Sequence, residues 1–316
     1  MDQLLAIRAL ARVVEAGSFT RAADSLGMPI ATVSKLVRDL EAHLGVRLLQ
    51  RTTRRVTVTP EGQEYYGKTC RVLRDLEDID GAFNMARGKP RGQLRIDVGG
   101  STARDVLIPT LGDFMARYPD IRMELSVSDR SVDLIGDNVD CVIRGGAMES
   151  SSLVARRLGE AMLITCASPA YLKQFGTPAY PEELKNGHRL VAYVSSDTGR
   201  AVPFRFERDG RKTEIKIDHR VGINESNAHL AACVAGLGVV QTFGYAAGSS
   251  LRDGSVVEIL QDWRPAPYPF QLAYPQARHV THRLRVFMDW LLEVFPQRVA
   301  EGPDPKSRAA AAKSTR

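Results

Sequence analysis

Residues 14–45 read VEAGSFTRAADSLGMPIATVSKLVRDLEAHLG, and they contain two potential helices separated by a glycine turn. Ser18 can cap a first helix over residues 19–26. Pro29 suits the first turn of a second helix that runs to about Leu44, because an N–H group has no partner within the helix at that position. Two short helices joined by such a turn are typical of a helix-turn-helix, which the pattern predicts here.

The second of these helices carries polar residues near its start. Its apolar residues are spaced to face inward, and they are Ile30, Val33, Val37, Leu40 and Leu44. The start of a helix in the major groove reaches base edges. The candidates for contact with bases or phosphates are Thr32, Ser34, Lys35 and Arg38. An ordinary surface helix would carry the same residues, but the glycine turn and the basic segment that follows favour DNA contact.

That basic segment predicts a wing. Residues 34–55 hold six basic residues against two acidic ones, in a chain whose formal net charge is +6. Residues 47–51 and 56–59 alternate like two short strands around a basic turn. In this hairpin, Arg51, Arg54 and Arg55 are expected to contact the DNA backbone or the minor groove.

A long helix is predicted from Thr59-Pro60-Glu61, a helix start, to about residue 87. Spacings of four and three residues alternate along one of its faces, as in a heptad seam. The seam consists of Tyr65, Thr69, Val72, Leu76, Ile79 and Phe83. Such a stripe can pack on its own chain, but charged residues cover the rest of the helix and favour the pairing of two chains.

Composition limits the class of protein. The chain has 316 residues, of which 44% are hydrophobic and 25% charged, as in a soluble globular protein with more than one folding unit. No apolar run approaches the ~18 residues of a membrane span, and the N-terminus lacks the pattern of a signal peptide. Four scattered cysteines without a CxxC motif are expected to be reduced thiols. We therefore expect a cytoplasmic protein with no membrane partner.

From residue 93 onward the pattern changes to alternating strands and helices, which predicts a parallel sheet covered by helices. The first strands are expected at residues 94–98, 122–127 and 140–143, with helices at 103–117 and 132–137. A proline-rich stretch, residues 265–269, is expected to be a crossing linker before a strand at 271–274 and a helix at 281–295. Residues 301–316 hold few bulky apolar side chains and are expected to form a disordered tail.

Enzymatic interpretations have weaker support. His279 and His282 could bind a metal, but no third ligand lies nearby in the sequence. No grouping of serine, histidine and aspartate is recognisable, and the glycines at 99–100 are too few for a dinucleotide-binding loop. Cys141 and Cys166 could form a redox pair, although Cys141 lies in a predicted buried strand. We therefore expect no catalytic activity, no metal and no cofactor.

Residues 1–87 resemble the DNA-binding end of LysR-type transcriptional regulators. The ordered matches lie at residues 14–23, 26–27, 33–34, 40–41, 44–55 and 59–62. The similarity continues at residues 151–159, 167–172 and 235–239. Ile30-Ala31 stand where many members carry a polar pair such as Gln-Pro, so base contacts are carried over to Thr32, Ser34 and Lys35.

The resemblance implies three parts. They are a winged helix-turn-helix (1–59), a dimerising linker helix (60–88), and an effector-binding domain (92–300) similar to periplasmic solute-binding proteins. Its two α/β lobes would be residues 92–164 with 270–300, and residues 165–269. A solute-binding protein for transport would share these lobes but would need export.

The resemblance also implies partners. These are a partly palindromic double-stranded DNA, a small-molecule effector, a second copy of the chain in a dimer or in a tetramer built from dimers, and RNA polymerase if the protein is an activator. Two alternatives stay open: an effector domain that serves only oligomerisation and, more distantly, an enzyme.

The effector site is expected where strands end. In open α/β sheets ligands bind beyond the carboxyl ends of strands, and helix starts there favour anions. The segments that follow two predicted strands, together with polar residues nearby, indicate Ser101, Thr102, Arg144, Asn224 and Gln241. With one helix start in each lobe, a small organic carboxylate is the expected ligand class. The alternative is that the helices are merely capped and that Arg144 is solvated.

Overall fold

The computed structural model describes residues 1–51, 56–83, 89–130, 139–146, 153–216, 218–276 and 280–300. The chain forms two compact units that divide between residues 88 and 89. Among the described residues, no helix is both long enough and apolar enough to cross a membrane.

The first unit is helical with a small hairpin, which confirms the predicted helix-turn-helix. Its elements are α1 (Gln3–Ala16), α2 (Phe19–Leu26), α3 (Ile30–Leu44), β1 (Leu49–Arg51), β2 (Val56–Val58) and α4 (Pro60–Phe83). The Ser18 hydroxyl accepts a hydrogen bond from the Arg21 N–H at the start of α2. Gly27 ends α2 with φ of +63°, a conformation that glycine adopts without strain.

The core of this unit explains which face of α3 is buried. Val33, Val37 and Leu40 have no exposed surface and pack in one cluster with residues of α1 and α2. Ile30, by contrast, is 47% exposed, so the expectation that it faces inward is wrong. Helical spacing gives the side of the helix on which a residue lies, but not whether another element covers that turn.

Polar bonds join the hairpin to both neighbouring helices. The Glu41 carboxylate on α3 accepts hydrogen bonds from the N–H groups of Leu48 and Leu49, at 2.9 and 3.0 Å. The Thr59 hydroxyl donates to the Leu48 carbonyl at 3.1 Å and accepts from the Gly62 N–H at 2.9 Å. β1 and β2 pair antiparallel as predicted, whereas the turn with Arg54 and Arg55 lies outside the described residues.

A pair of glycine substitutions on α4 tests this junction. A Cβ atom at Gly62 would lie 2.0 Å from the Leu48 carbonyl oxygen, whereas a Cβ atom at Gly67 would meet nothing within 4 Å. We expect Gly62→Ala to lower the free energy of unfolding of the first unit by several kcal/mol, on the order of the larger single-site effects. Gly67→Ala should be neutral or stabilising by ~0.5–1 kcal/mol, because alanine favours the helix. Urea unfolding followed by circular dichroism measures both; equal effects would contradict the close approach.

The second unit contains the remaining elements. Those of its first half are β3 (Gly92–Val98), α5 (Gly100–Thr102), α6 (Leu111–Arg117), β4 (Ile121–Val127), β5 (Cys141–Gly145), β6 (Leu153–Ala161), β7 (Leu163–Ala167) and α7 (Pro169–Phe175). A π-helical turn (Ala103–Leu107) and a 3₁₀ turn (Ile108–Thr110) join α5 to α6.

The second half of this unit continues the alternation. Its elements are β8 (Val191–Tyr193), β9 (Phe204–Arg208), β10 (Arg211–Ile215), β11 (Val221–Ile223), α8 (Ser226–Val234), β12 (Val240–Phe243), α9 (Gly244–Arg252), β13 (Val257–Ile259), β14 (Tyr268–Pro275) and α10 (His282–Ala300). Two further 3₁₀ turns lie at Pro181–Lys185 and Gln261–Trp263.

The described strands form two main sheets, one in each lobe. The sheet of the first lobe has five strands in the order β4-β3-β5-β14-β6. In it, β3 is parallel to β4 and β5, whereas β14 is antiparallel to β5 and β6. The predicted parallel sheet is therefore confirmed for its first three strands, β3, β4 and β5, whereas β14 joins them antiparallel on its return from the other lobe. The second lobe contains an antiparallel sheet, β12-β7-β13, together with the parallel pair β8–β11 and the hairpin β9–β10.

The chain crosses between the lobes twice. The first crossing is at Met162, because β6 belongs to the first sheet and β7 to the second. β7 thus begins two residues before the expected start of lobe two. The second crossing ends at Tyr268, so β14 begins inside the expected proline-rich linker.

Several elements differ from expectation. β6 and α9 were not predicted, because β6 contains exposed arginines and α9 is rich in glycine, alanine and serine. The expected helix at 132–137 and the expected tail at 301–316 lie outside the described residues. The predicted C-terminal helix is present as α10. The ring centroids of its Phe287 and Trp290 lie 5.5 and 5.1 Å from that of Phe114 in the core of lobe one.

Candidate DNA-binding surface and effector cleft

The exposed face of α3 carries the predicted DNA-contact residues. Thr32, Lys35 and Arg38 are exposed, and Ser34 is partly exposed. This face lies opposite the buried Val33 and Val37. The side chain of Arg51, like the wing residues Arg54 and Arg55, lies outside the described part of the chain.

The predicted seam on α4 divides into two parts. Tyr65 packs against the core of its own unit, and the Thr69 hydroxyl donates to the Tyr65 carbonyl at 2.7 Å. Val72, further along, is 51% exposed, and Leu76 is partly exposed. The side chains of Ile79 and Phe83 are outside the described set.

A cavity of about 580 Å³ lies between the two lobes of the second unit. Four of the predicted effector residues line it, and they are Ser101, Thr102, Arg144 and Gln241. Asn224 is not among the lining residues, whereas Ser226 at the start of α8 is.

The two helix starts meet at a carboxylate that the sequence analysis did not single out. Asp129 follows β4 in lobe one, and its Oδ1 accepts from the Gly100 N–H at 2.8 Å. Its Oδ2 accepts from the Ser226 N–H in lobe two at 2.6 Å. The Ser226 hydroxyl in turn accepts from the Ser101 N–H at 2.9 Å. One side chain thus binds the backbone of both lobes.

Arg144 holds the segment that carries this carboxylate. It lies inside β5 rather than just beyond the strand, and its guanidinium pairs with the buried Asp97. The same guanidinium donates to the carbonyls of Ser128 and Arg130, at 3.0 and 3.1 Å. The Arg144 guanidinium is therefore bonded within the protein and not solvated. It fixes the backbone on both sides of Asp129.

Burial and the Asp129 charge perturb the groups around the cavity. Burial and the neighbouring Asp129 raise the pKa of the Tyr193 phenol. Burial lowers the pKa of His229, whose Nε2 lies 3.0 Å from the Val191 carbonyl. A neutral imidazole that donates from Nε2 fits this geometry.

Gln241 is also committed to protein contacts. Its amide nitrogen donates to the Arg205 carbonyl at 2.8 Å, and its amide oxygen accepts from the Arg205 N–H at 2.9 Å. These bonds fasten β9 to β12 beside the cavity. Gln241 therefore positions the wall that it belongs to.

Aromatic side chains form another part of the cavity wall. The Phe243 ring lies 5.8 Å from Tyr268 and 5.1 Å from Phe270, measured between ring centroids. All three residues line the cavity, together with Leu153 and others. The cleft thus has a polar wall at Ser101 and Ser226, near Asp129, and apolar surface elsewhere.

The alternative sites gain no support from the described residues. Cys166 lies 4.0 Å from Cys233, sulfur to sulfur, and not beside Cys141, which belongs to the other sheet. Burial raises the pKa of the Cys141 thiol, and the pKa of Cys166 is raised by its contact with Cys233 and by burial, which disfavours the reactive thiolates. In the described ranges no group of three or more metal-ligating side chains occurs; His279 lies outside them.

Sequence reasoning missed Asp129, Ser226 and Tyr193. For Asp129 a signal existed, because it follows the strand at 121–127, at the sheet edge where ligands bind. Tyr193 ends β8 in the same way. Only the three-dimensional pairing of the lobes shows that these residues meet.

Comparison with known proteins identifies the two units. Residues 4–63 match the family described as bacterial regulatory helix-turn-helix protein, lysR family. Residues 87–296 match the LysR substrate binding domain. The chain belongs to the LysR family of transcriptional regulators. It is thus a DNA-binding regulator with an effector-binding domain, which confirms the resemblance found in the sequence.

Individual LysR-type relatives span nearly the whole chain. The chain is 38% identical over 297 residues to the HTH-type transcriptional regulator YhjC of Escherichia coli (strain K12), covering 94% of this chain and 99% of that protein. It is also 38% identical over 306 residues to a transcriptional repressor of Pseudomonas aeruginosa, covering 96% and 94%. These relatives are named as regulators and not as enzymes.

A solved LysR-type structure shares the fold. The structure of CrgA, a LysR-type transcriptional regulator from Neisseria meningitidis, matches with a TM-score of 0.59 at 31% identity. The match covers 93% of this chain and 98% of that chain.

Proposed function

We propose that a small organic carboxylate binds in the cleft and modulates DNA binding by this regulator. The observation that carries the proposal is the carboxylate of Asp129, which accepts hydrogen bonds from the first N–H groups of α5 and α8, those of Gly100 and Ser226. Its bonds have lengths of 2.8 and 2.6 Å, in the range of charge-assisted hydrogen bonds. A ligand carboxylate of the same geometry would find the same donors.

The proposal includes competition between the ligand and Asp129. Both N–H groups are taken in this structure, so the ligand must displace Asp129 to reach them. The adjoining cavity of about 580 Å³ has room for the rest of a small molecule. Displacement would break the bond between Asp129 and Ser226 and so change how the lobes are held.

Acetate has the same carboxylate group as the aspartate side chain and is close to it in size, so it provides the test. We expect Asp129→Ala to lower the free energy of unfolding by ~1–3 kcal/mol, because the N–H groups of Gly100 and Ser226 lose their acceptor. Added acetate at constant ionic strength should restore stability by binding the vacated donors. Thermal unfolding of the full-length protein measures both effects.

Two controls make this test specific. Acetamide, a neutral molecule of similar shape, should not restore the Asp129→Ala variant. Asp253→Ala removes an exposed carboxylate that also accepts a backbone N–H, from Ser255 at 2.9 Å, and should show no acetate effect. Equal responses to acetate and acetamide would reject a carboxylate as the ligand class.

The cavity also bears on the alternative that the effector domain serves only oligomerisation. A domain with that role alone needs no polar cavity, whereas this cleft brings Ser101, Thr102 and Ser226 together at one wall. Asn224, which lies just before α8, stays a proposed contact of the effector. We add Ser226 as a second proposed contact, because it lines the cavity.

For DNA we propose that Thr32, Ser34, Lys35 and Arg38 meet the major groove or its phosphates. Arg51, Arg54 and Arg55 would meet the flanking backbone or the minor groove. The exposure of α3 on the side opposite its buried stripe supports the first set.

Two variants distinguish base contact from phosphate contact. Lys35→Ala should cost ~1–3 kcal/mol on the specific site and relax discrimination between sites, whereas Arg54→Ala should weaken all sequences similarly and reduce the salt slope by about one. Lys212→Ala, an exposed lysine on β10, is the control that should change neither. Binding titrations at several salt concentrations give both quantities, and an unchanged salt slope for Arg54→Ala would reject the wing contact.

We propose that the seam on α4 pairs two chains, so that two copies of α3 face a partly palindromic site. The exposed Val72 and the partly exposed Leu76 support this pairing. A tetramer built from such dimers, and a contact with RNA polymerase if the protein activates transcription, extend the same proposal.

A charge in the seam tests the pairing. Leu76→Asp should shift the protein towards the monomer in sedimentation experiments and greatly weaken operator binding, because two carboxylates would be brought together in an apolar contact. Gln63→Asp places the same charge at an exposed position of α4 and should leave the mass unchanged. A dimer that persists in Leu76→Asp would reject the seam.

A further inference from the structure

Ile30 is a large apolar side chain in solvent at the start of the recognition helix α3. It is 47% exposed, whereas Val33 and Val37 on the same helix are fully buried. Pro29 caps the helix with an extended backbone and without a side-chain hydrogen bond, and Ala31 is exposed as well. The first turn of α3 therefore presents an apolar tip.

The first turn of a recognition helix is the part that reaches base edges, and the apolar tip lies on that turn. Ile30 lies one helical turn before Ser34, so the two side chains share one side of α3. The exposed cations Lys35 and Arg38 follow further along α3, where they favour an approach of the phosphate backbone to the helix.

The chemistry of Ile30 restricts what it can recognise. Its side chain has no hydrogen-bond donor or acceptor, so it cannot pair with the polar groups of a base edge. In the major groove the apolar group offered by the four base pairs is the C5-methyl of thymine. Cytosine has hydrogen at that carbon and carries an amino group beside it.

We propose that Ile30 contacts the C5-methyl group of one thymine in each half-site and so selects a T·A pair at that position. This inference rests on the proposed DNA-binding surface and adds a base to it. It assigns a base contact to position 30, where many LysR-type regulators carry a polar residue. The sequence alone predicted no base contact at this position.

Replacement of thymine by deoxyuridine tests the contact, because it removes only the methyl group. The operator is first selected from random double-stranded DNA with the full-length protein, and each thymine is then replaced in turn. We expect one position in each half-site to lose about fourfold in affinity, which corresponds to ~0.8 kcal/mol for one buried methyl-sized group. In Ile30→Ala the same replacement should have no further effect.

Two further variants sharpen the result. Leu4→Ala removes a comparably exposed side chain, 37% exposed, from α1 and should keep the full sensitivity to deoxyuridine. Ile30→Gln should shift the preferred base at that position towards adenine, which glutamine can bind through two hydrogen bonds.

The outcomes separate this inference from the function on which it rests. Specific operator binding with equal deoxyuridine losses in the wild-type protein and in Ile30→Ala overturns the Ile30 contact and leaves the proposed DNA surface intact. A selection that returns no preferred sequence overturns both.

Discussion

The burial of one stripe on α3 determines what the rest of the first unit can do. Val33, Val37 and Leu40 are completely removed from solvent. Burial of each of these side chains stabilises the folded unit by ~1.5–3 kcal/mol, so a rotation of α3 that exposed them would cost several times the thermal energy. The opposite face, with Lys35 and Arg38, is therefore held outward. The DNA recognition proposed for this face depends on this constraint, because a helix that could roll would present no fixed set of side chains to the groove.

The second unit depends on a polar interaction instead. A chain that crosses twice between two sheets leaves a cleft, and across it the Asp129 carboxylate accepts hydrogen bonds from the N–H groups of Gly100 and Ser226. Arg144 secures the backbone around Asp129 and pairs with Asp97 in the sheet beneath. Asp129 is bonded to the backbone of both lobes, so its displacement by a ligand, as proposed above, would alter contacts in both and give a physical basis for a response to an effector.

Local signals predicted most of the first unit. Ser18, Gly27 and Pro29 act within a few residues of their own position, and the apolar spacing of α3 identified its buried stripe. Ile30 escaped that reasoning, because its exposure depends on which neighbouring element reaches the first turn. The periodicity could not show this.

The cleft was predictable only in outline. The rule that ligands bind beyond strand ends led to Ser101 and Thr102, which line the cavity. The same rule could not show that Asp129 had already taken the N–H groups, nor that Arg144 was held by Asp97, because both contacts join residues from separate parts of the chain. The direction of β14 likewise follows from its return path and not from its own residues.

We propose that the outward face of α3, presented twice in a dimer, reads a DNA sequence. Selection of bound fragments from sheared genomic DNA by the full-length protein, followed by sequencing, tests it most directly. We expect the bound fragments to share a sequence with two related halves, whose centres lie about one helical turn (~34–36 Å) or a multiple of it apart. Bound fragments that share no such sequence would contradict it.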